Sequence, residues 1–123
     1  MIRILVLAQS DLANQLDAVL SRHGYSTICC SDPQQALCKA ITFRPQLVLA
    51  ELLEIDGDWL CREIRKLRQL HNTQVIMMSA AGQHIKDKDL ESMALACGAN
   101  GYLRKPFPYC EIANFTKSWL QAS

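Results

Sequence analysis

Leu47, Val48, Leu49 and Ala50 form an apolar run with no polar alternation, at the start of the stretch QLVLAELLEIDG that spans Gln46 to Gly57. A run of that kind reads as a strand buried on both faces, which is how parallel sheets covered by helices look in sequence. The run delivers one acid, Glu51, and then breaks into a polar turn. In open α/β sheets, ligands and chemistry collect outside the carboxyl ends of the strands, so a carboxylate placed there is the first candidate for function.

The chain has 123 residues, half of them hydrophobic, and a formal net charge of +1. That length supports one domain, expected over 1–123, which buries roughly two-thirds of its unfolded surface. A balance so close to neutral supplies no broad field to recruit nucleic acid or an anionic membrane. The start, MIRILVLAQSD, has too short an apolar stretch for a signal peptide and reads as a strand. No run approaches the length of a membrane span, so a cytoplasmic protein is expected. Cys29, Cys30, Cys38, Cys61, Cys97 and Cys110 include no CxxC pair and no zinc-like spacing with histidine. Most are expected at apolar positions, where a thiol behaves as a small hydrophobe, and the adjacent Cys29 and Cys30 should point to opposite faces of a strand.

Ile2 to Leu7 suits a central strand, followed by Asp11 as the expected N-cap of a helix with Leu12, Leu16, Val19 and Leu20 at helical spacing and Gly24 as its stop. Tyr25 to Cys30 is a short run of β-formers, and Asp32 with Pro33 opens a second helix through about Thr42, with Ala36, Leu37, Ala40 and Ile41 as its buried stripe. Beyond Glu51, the turn at Asp56, Gly57 and Asp58 caps a third helix whose inward face is Leu60, Ile64 and Leu67. Arg62, Arg65, Lys66 and Arg68 are expected on its solvated side. Gln74 to Met78 is another buried strand, handing over to Ser79, Ala80, Ala81 and Gly82. A polar opening from His84 to Asp89 leads into a helix that buries Leu90, Met93, Ala94 and Cys97, with Gly98 as its stop. Gly101 to Leu103 is the last strand. A rigid turn at Lys105, Pro106, Phe107 and Pro108 precedes a final helix lined by Ile112, Phe115 and Trp119 and ending near Gln121.

Five strands alternating with five helices through short connections imply a doubly wound, three-layer α/β domain. With strand order 2-1-3-4-5, the switch point lies between the first and third strands, and Ala8 and Gln9 face Glu51 across one crevice.

The segments ILVL, HGYST, FRPQLVLAEL, DGDWLCREIRKLR, VIMMSAAG and ACGANGYLRKPFPYCEI, of which GYLRKPF is the most specific, resemble a response-regulator receiver domain along essentially the whole chain. The resemblance implies a flavodoxin-like five-stranded sheet. It also implies a phosphotransfer switch in which an acid pair after the first strand holds Mg²⁺ and an aspartate after the third accepts a phosphoryl group from a histidine kinase. A lysine contacts that group, a hydroxyl residue turns toward it, and an aromatic residue follows. By resemblance, Ser79 matches the hydroxyl, Tyr102 the aromatic and Lys105 the lysine.

Ala8 and Gln9 stand where the acid pair belongs and Glu51 where the acceptor aspartate belongs. Mg²⁺ wants carboxylate oxygens in near-octahedral array, and neither an alanine nor a neutral amide supplies them. Glu51 is also one methylene too long for in-line chemistry that tolerates little misplacement. The following turn, counted to Gly57, is two residues shorter than the family's usual loop and carries Ile55 where proline is usual. The expected reading is a pseudo-receiver of a two-component or phosphorelay regulator: not an enzyme, with no metal and no cofactor, acting by protein contact. A Glu51–Lys105 ion pair is expected to satisfy both charges, with Glu51 standing in for an acyl phosphate on Lys105 and Ser79. The alternatives are a receiver still phosphorylated at Glu51 or a neighbouring acid, with metal held by Asp11, Glu54 or Asp56, and a small-ligand sensor using the vacated pocket of Ala8, Gln9 and Ser79. Family resemblance puts the partner, output-domain or homodimer face on the fourth helix, fifth strand and fifth helix, with Tyr102, Arg104 and Tyr109 on or near it.

Overall fold

The computed structural model describes residues 1–80 and 85–121. Among them the apolar runs become five strands, β1 (Arg3–Leu7), β2 (Ser26–Cys30), β3 (Leu47–Glu51), β4 (Gln74–Ser79) and β5 (Gly101–Arg104). They alternate with α1 (Ser10–Arg22), α2 (Pro33–Phe43), α3 (Gly57–Arg65), α4 (Asp87–Ala96) and α5 (Ile112–Gln121), with single 3-10 turns at Arg68–Leu70 and Tyr109–Glu111. The strands form one parallel sheet in the order β2-β1-β3-β4-β5, the expected doubly wound topology. The expected handover through Ala81 and Gly82 and the His84 opening lie outside the described residues.

Alternate residues of the central strands feed two cores, because successive side chains of a strand point to opposite faces. Leu5, Leu7, Val48, Ala50, Val75 and Met77 pack beneath α2, α3 and α4. Ile4, Val6, Leu47, Leu49, Ile76 and Met78 pack beneath α1 and α5. Each fully buried leucine or isoleucine contributes about 1.5–3 kcal/mol of transfer free energy, so the layers are held chiefly by these two faces.

Several boundaries differ from expectation for local reasons. Helix α1 begins at Ser10 with Gln9 at the N-cap position, so Asp11 is not the cap but a first-turn acid, where its charge complements the helix dipole. At α2, the Asp32 side chain does accept from the Gln35 N–H at 3.3 Å, as the Asp-Pro pair predicts. Ile41 stays 39 % exposed, because α2 approaches the sheet through the small residues Ala36 and Ala40 and leaves the flank of the stripe in solvent. Met93, 42 % exposed, corrects the expected stripe of α4 in the same way, since Leu90, Ala94 and Cys97 make the contact. Leu67 lies beyond the end of α3 and is half-buried. Cys30, Cys61 and Cys97 are buried, but Cys29, Cys38 and Cys110 are exposed, so only half of the thiols act as small hydrophobes. Cys29 and Cys30 do face opposite ways: Cys29 Sγ donates to the Ala13 carbonyl of α1, while Cys30 joins the core under α2. Although the residue is exposed, partial desolvation of its Sγ, and then the charge of Asp17, push the Cys29 thiol up to about 11, away from the reactive thiolate range.

Arg65 is not on a solvated face. Its guanidinium donates to the carbonyls of Gly98 and Thr73, each at 2.8 Å, and to Asn100 Oδ1 at 2.6 Å, tying α3 to the chain on both sides of β4. Asn100 Oδ1 also accepts from the Val75 N–H at 2.8 Å. A planar fork with several fixed donors suits this convergence of acceptors, which a lysine could not serve.

Candidate functional site

The flush carboxyl ends of β1, β3 and β4 put one acid at the centre of a crevice. Glu51 ends β3 opposite Met78 and is only 1 % exposed. Burial of a carboxylate is costly unless it is paired and hydrogen-bonded, and both oxygens are engaged. Oε1 accepts the Gln9 backbone N–H at 2.6 Å, and Oε2 meets Lys105 Nζ at 2.7 Å. Burial alone would push this carboxyl up, but Lys105 and the Gln9 N–H outweigh it and hold Glu51 below the usual carboxylate value. The Gln9 contact also explains why α1 starts where it does: with its N–H committed to Glu51, Gln9 turns its carbonyl to the Ala13 N–H at 2.9 Å.

Lys105 reaches the crevice from the turn after β5, whose Lys105–Pro106 peptide is cis. Its side chain is 22 % exposed, and its ammonium has a second carboxylate at 3.7 Å, Oε2 of Glu54. The Ser79 hydroxyl at the end of β4 donates to the other oxygen of that carboxylate, Glu54 Oε1, at 3.2 Å. The geometry thus divides the work expected of Glu51 alone: Glu51 holds Lys105, and Glu54 holds Ser79. Sequence reading placed Glu54 among the turn residues, and its inward aim follows from loop closure, which no local pattern signals.

The Ser79 carbonyl collects two further donors, the Lys105 N–H at 2.8 Å and the Tyr102 hydroxyl at 2.9 Å. Tyr102 is therefore turned in toward the crevice and half-buried. Its hydroxyl is also 3.5 Å from Asp87 Oδ1 at the start of α4, and Asp87 Oδ2 pairs with Arg104 Nε at 3.0 Å. Burial, then the charge of Asp87, pushes the Tyr102 phenol up to about 12. Tyr102 and Arg104 are thus joined through Asp87. Tyr109 is not with them. It packs edge-on against Phe107, with ring centroids 5.4 Å apart, in the core on the α1 and α5 side, whereas Tyr102 packs on the α4 side.

Ala8 is buried against α1 and offers no donor. Gln9 lines a cleft of about 350 Å³ together with Ser10, Asp11, Gln15, Glu51, Lys105 and Tyr109. These residues do not fit a Mg²⁺ ion. The central carboxylate is already neutralised by an ammonium, position 8 supplies nothing, and among the described residues no three His, Cys, Asp or Glu side chains are grouped to hold a metal.

Comparison with known proteins places this geometry. The chain is 30% identical over 125 residues to the alkaline phosphatase synthesis transcriptional regulatory protein PhoP of Bacillus subtilis, a match covering 98% of this chain and 49% of that protein. It spans about half the length of the curated relatives it matches. A response regulator from Chloroflexus aurantiacus, described as putative in its structure report, superposes with a TM-score of 0.85 at 27% identity, covering 97% of both chains. A chemotaxis response regulator of Vibrio cholerae has a TM-score of 0.84 at 20% identity over 96% of this chain and 98% of that one, a likeness of fold alone. The family model for the response regulator receiver domain matches residues 4–117. With that match spanning both cores and the crevice at the carboxyl edge of the sheet, the chain belongs to the response regulator receiver domains of two-component signalling.

Proposed function

We propose that residues 1–123 form one pseudo-receiver unit, a signalling module that acts through protein contact and does not take a phosphoryl group on Glu51. The observation that carries this reading is the closed shell of Glu51, whose two oxygens are taken by the Gln9 N–H and the Lys105 ammonium. A nucleophilic carboxylate needs a free oxygen and a charge neutraliser on the incoming phosphate, and here the neutraliser is spent on the carboxylate itself. Ala8 and Gln9 supply no acid to recruit another. The module signals and does not catalyse, in the cytoplasm, with an output domain or separate protein as its partner. The surface reached through Tyr102, Asp87 and Arg104 is the side offered to that partner.

Incubation with acetyl phosphate and Mg²⁺, read by intact mass, tests the reading. No added phosphoryl group is expected, and amide NMR with Mg²⁺ and beryllofluoride should leave Gln9, Glu51 and Lys105 unshifted. A stoichiometric phosphoryl adduct would establish the active-receiver alternative instead.

A further inference from the structure

We infer that Glu54 is a positioning residue that sets the switch from within the chain, its carboxylate holding Ser79 and Lys105 and, through Ser79, keeping Tyr102 turned inward. The inference rests on the reading above, in which no transferred group occupies the crevice.

Glu54 sits in the middle of a five-residue connection, 52–56, that is pinned at both ends. At its start Leu52 is buried and donates its N–H to the Met78 carbonyl at 2.9 Å. At its end Asp56 takes a left-handed conformation, φ 51°, and Gly57 lies so close to β3 that a Cβ would collide with the Glu51 carbonyl. Between these anchors Ile55 is half-buried against the core beneath α2, α3 and α4, Leu53 is exposed, and Glu54 turns back over the crevice. Its two oxygens make two separate interactions, with Ser79 Oγ at 3.2 Å and Lys105 Nζ at 3.7 Å. Ser79 is fully buried, and among the described residues Glu54 is the acceptor of its hydroxyl. A buried hydroxyl left without a partner is unfavourable, so loss of that acceptor forces Ser79 to rearrange. Because the Ser79 carbonyl is also what Tyr102 holds, the rearrangement passes to Tyr102, Asp87 and Arg104 on the surface. The family resemblance marks Ser79 and Tyr102 as switch residues; the loop supplies the group that sets them.

The test uses the Tyr25→Phe/Tyr109→Phe background, in which Tyr102 is the sole tyrosine. Glu54→Gln keeps an acceptor oxygen for Ser79, whereas Glu54→Leu and Glu54→Ala remove it. NMR at neutral pH reads the nuclear Overhauser contacts of the Tyr102 ring with Ser79 and Asp87, and absorbance near about pH 11 reads phenol ionisation. Glu54→Gln should keep the ring contacts, and because it removes the Glu54 charge that helps raise the Tyr102 phenol, it sets the titration against which the other two variants are read. Glu54→Leu and Glu54→Ala should lose the contacts and ionise the phenol at lower pH than Glu54→Gln does, toward the ordinary tyrosine value of about 10. Should either alanine or leucine, folded by its amide dispersion, keep the parent contacts and titration, the positioning role is overturned. It is equally overturned if Glu54→Gln releases the ring as fully as leucine does. The parent protein is treated in parallel with acetyl phosphate and Mg²⁺: a mass gain there overturns the pseudo-receiver reading, while unchanged mass with an unmoved Tyr102 overturns only the role of Glu54.

Discussion

Two of the cations that tie this fold together, Arg65 and Lys105, are satisfied in opposite ways. Arg65, at the amino edge of β4 and β5, is met by three neutral oxygens, from Gly98, Thr73 and Asn100. Lys105, at the carboxyl edge, is met by two carboxylates, Glu51 and Glu54. A guanidinium on carbonyls has no titratable partner and a rigid fork, so it has one arrangement and serves architecture. An ammonium shared between two acids has partners that can be protonated, exchanged or withdrawn. The contrast separates the part of the fold that only holds from the part that can change.

The largest expected effect comes from breaking the ionic hub. Lys105→Met strands a buried Glu51 charge and should cost about 3–5 kcal/mol in denaturant unfolding, most of it recovered in the Lys105→Met/Glu51→Leu double variant. If the double variant is as unstable as the single, the pair is not what holds this edge. Next, Arg65→Ala leaves several acceptors unpaired and should cost about 2 kcal/mol, with no dependence on acidic pH.

A smaller effect sharpens the comparison by titration. Glu51 has a folded-state value below its unfolded value, so its stabilisation is fully present above the ordinary carboxylate value of 4.5 and is lost as pH falls through the depressed folded value. Urea midpoints recorded from neutral to acid pH should therefore fall less steeply in Glu51→Gln than in the parent, while Arg65→Ala should keep the parent slope on a lower line. Parallel acid slopes for Glu51→Gln and the parent would count against the pairing. Smallest of all, Met93→Ser and Ile41→Ser touch neither hub, and thermal unfolding should place each within about 0.5 kcal/mol of the parent.

The fold was legible because its signal is repetitive. Apolar runs such as Leu47–Ala50 admit few arrangements other than central parallel strands, and the helices between them carry caps and stops like Asp32 and Gly98. Glu51 came from the same signal, since it ends such a strand, whereas Ser79 and Lys105 were marked by the family resemblance, Lys105 within GYLRKPF. Glu54 and Arg65 were not. The direction of Glu54 depends on how a short loop closes between Leu52 and Gly57, and Arg65 finds its acceptors 8 to 35 positions away in sequence. In a run written as Arg62, Arg65, Lys66 and Arg68, nothing local separates the half-buried staple from the surface pair that Arg62 makes with Asp58 at 3.2 Å. Met93 and Ile41 show the converse: helical spacing marked them as inward, but the width of the contact is set by the partner surface.

The brevity of the 52–56 connection has a further consequence for competition. A group carried on the same short loop as its site meets that site at an effective concentration on the order of millimolar or more, with no diffusion and no donor required. A free anion of equal affinity must reach that concentration in the crevice to match Glu54, because the carboxylate is tethered beside the site. Movement of the loop that withdraws Glu54 is therefore a direct route to Ser79 and Tyr102, one that needs no ligand.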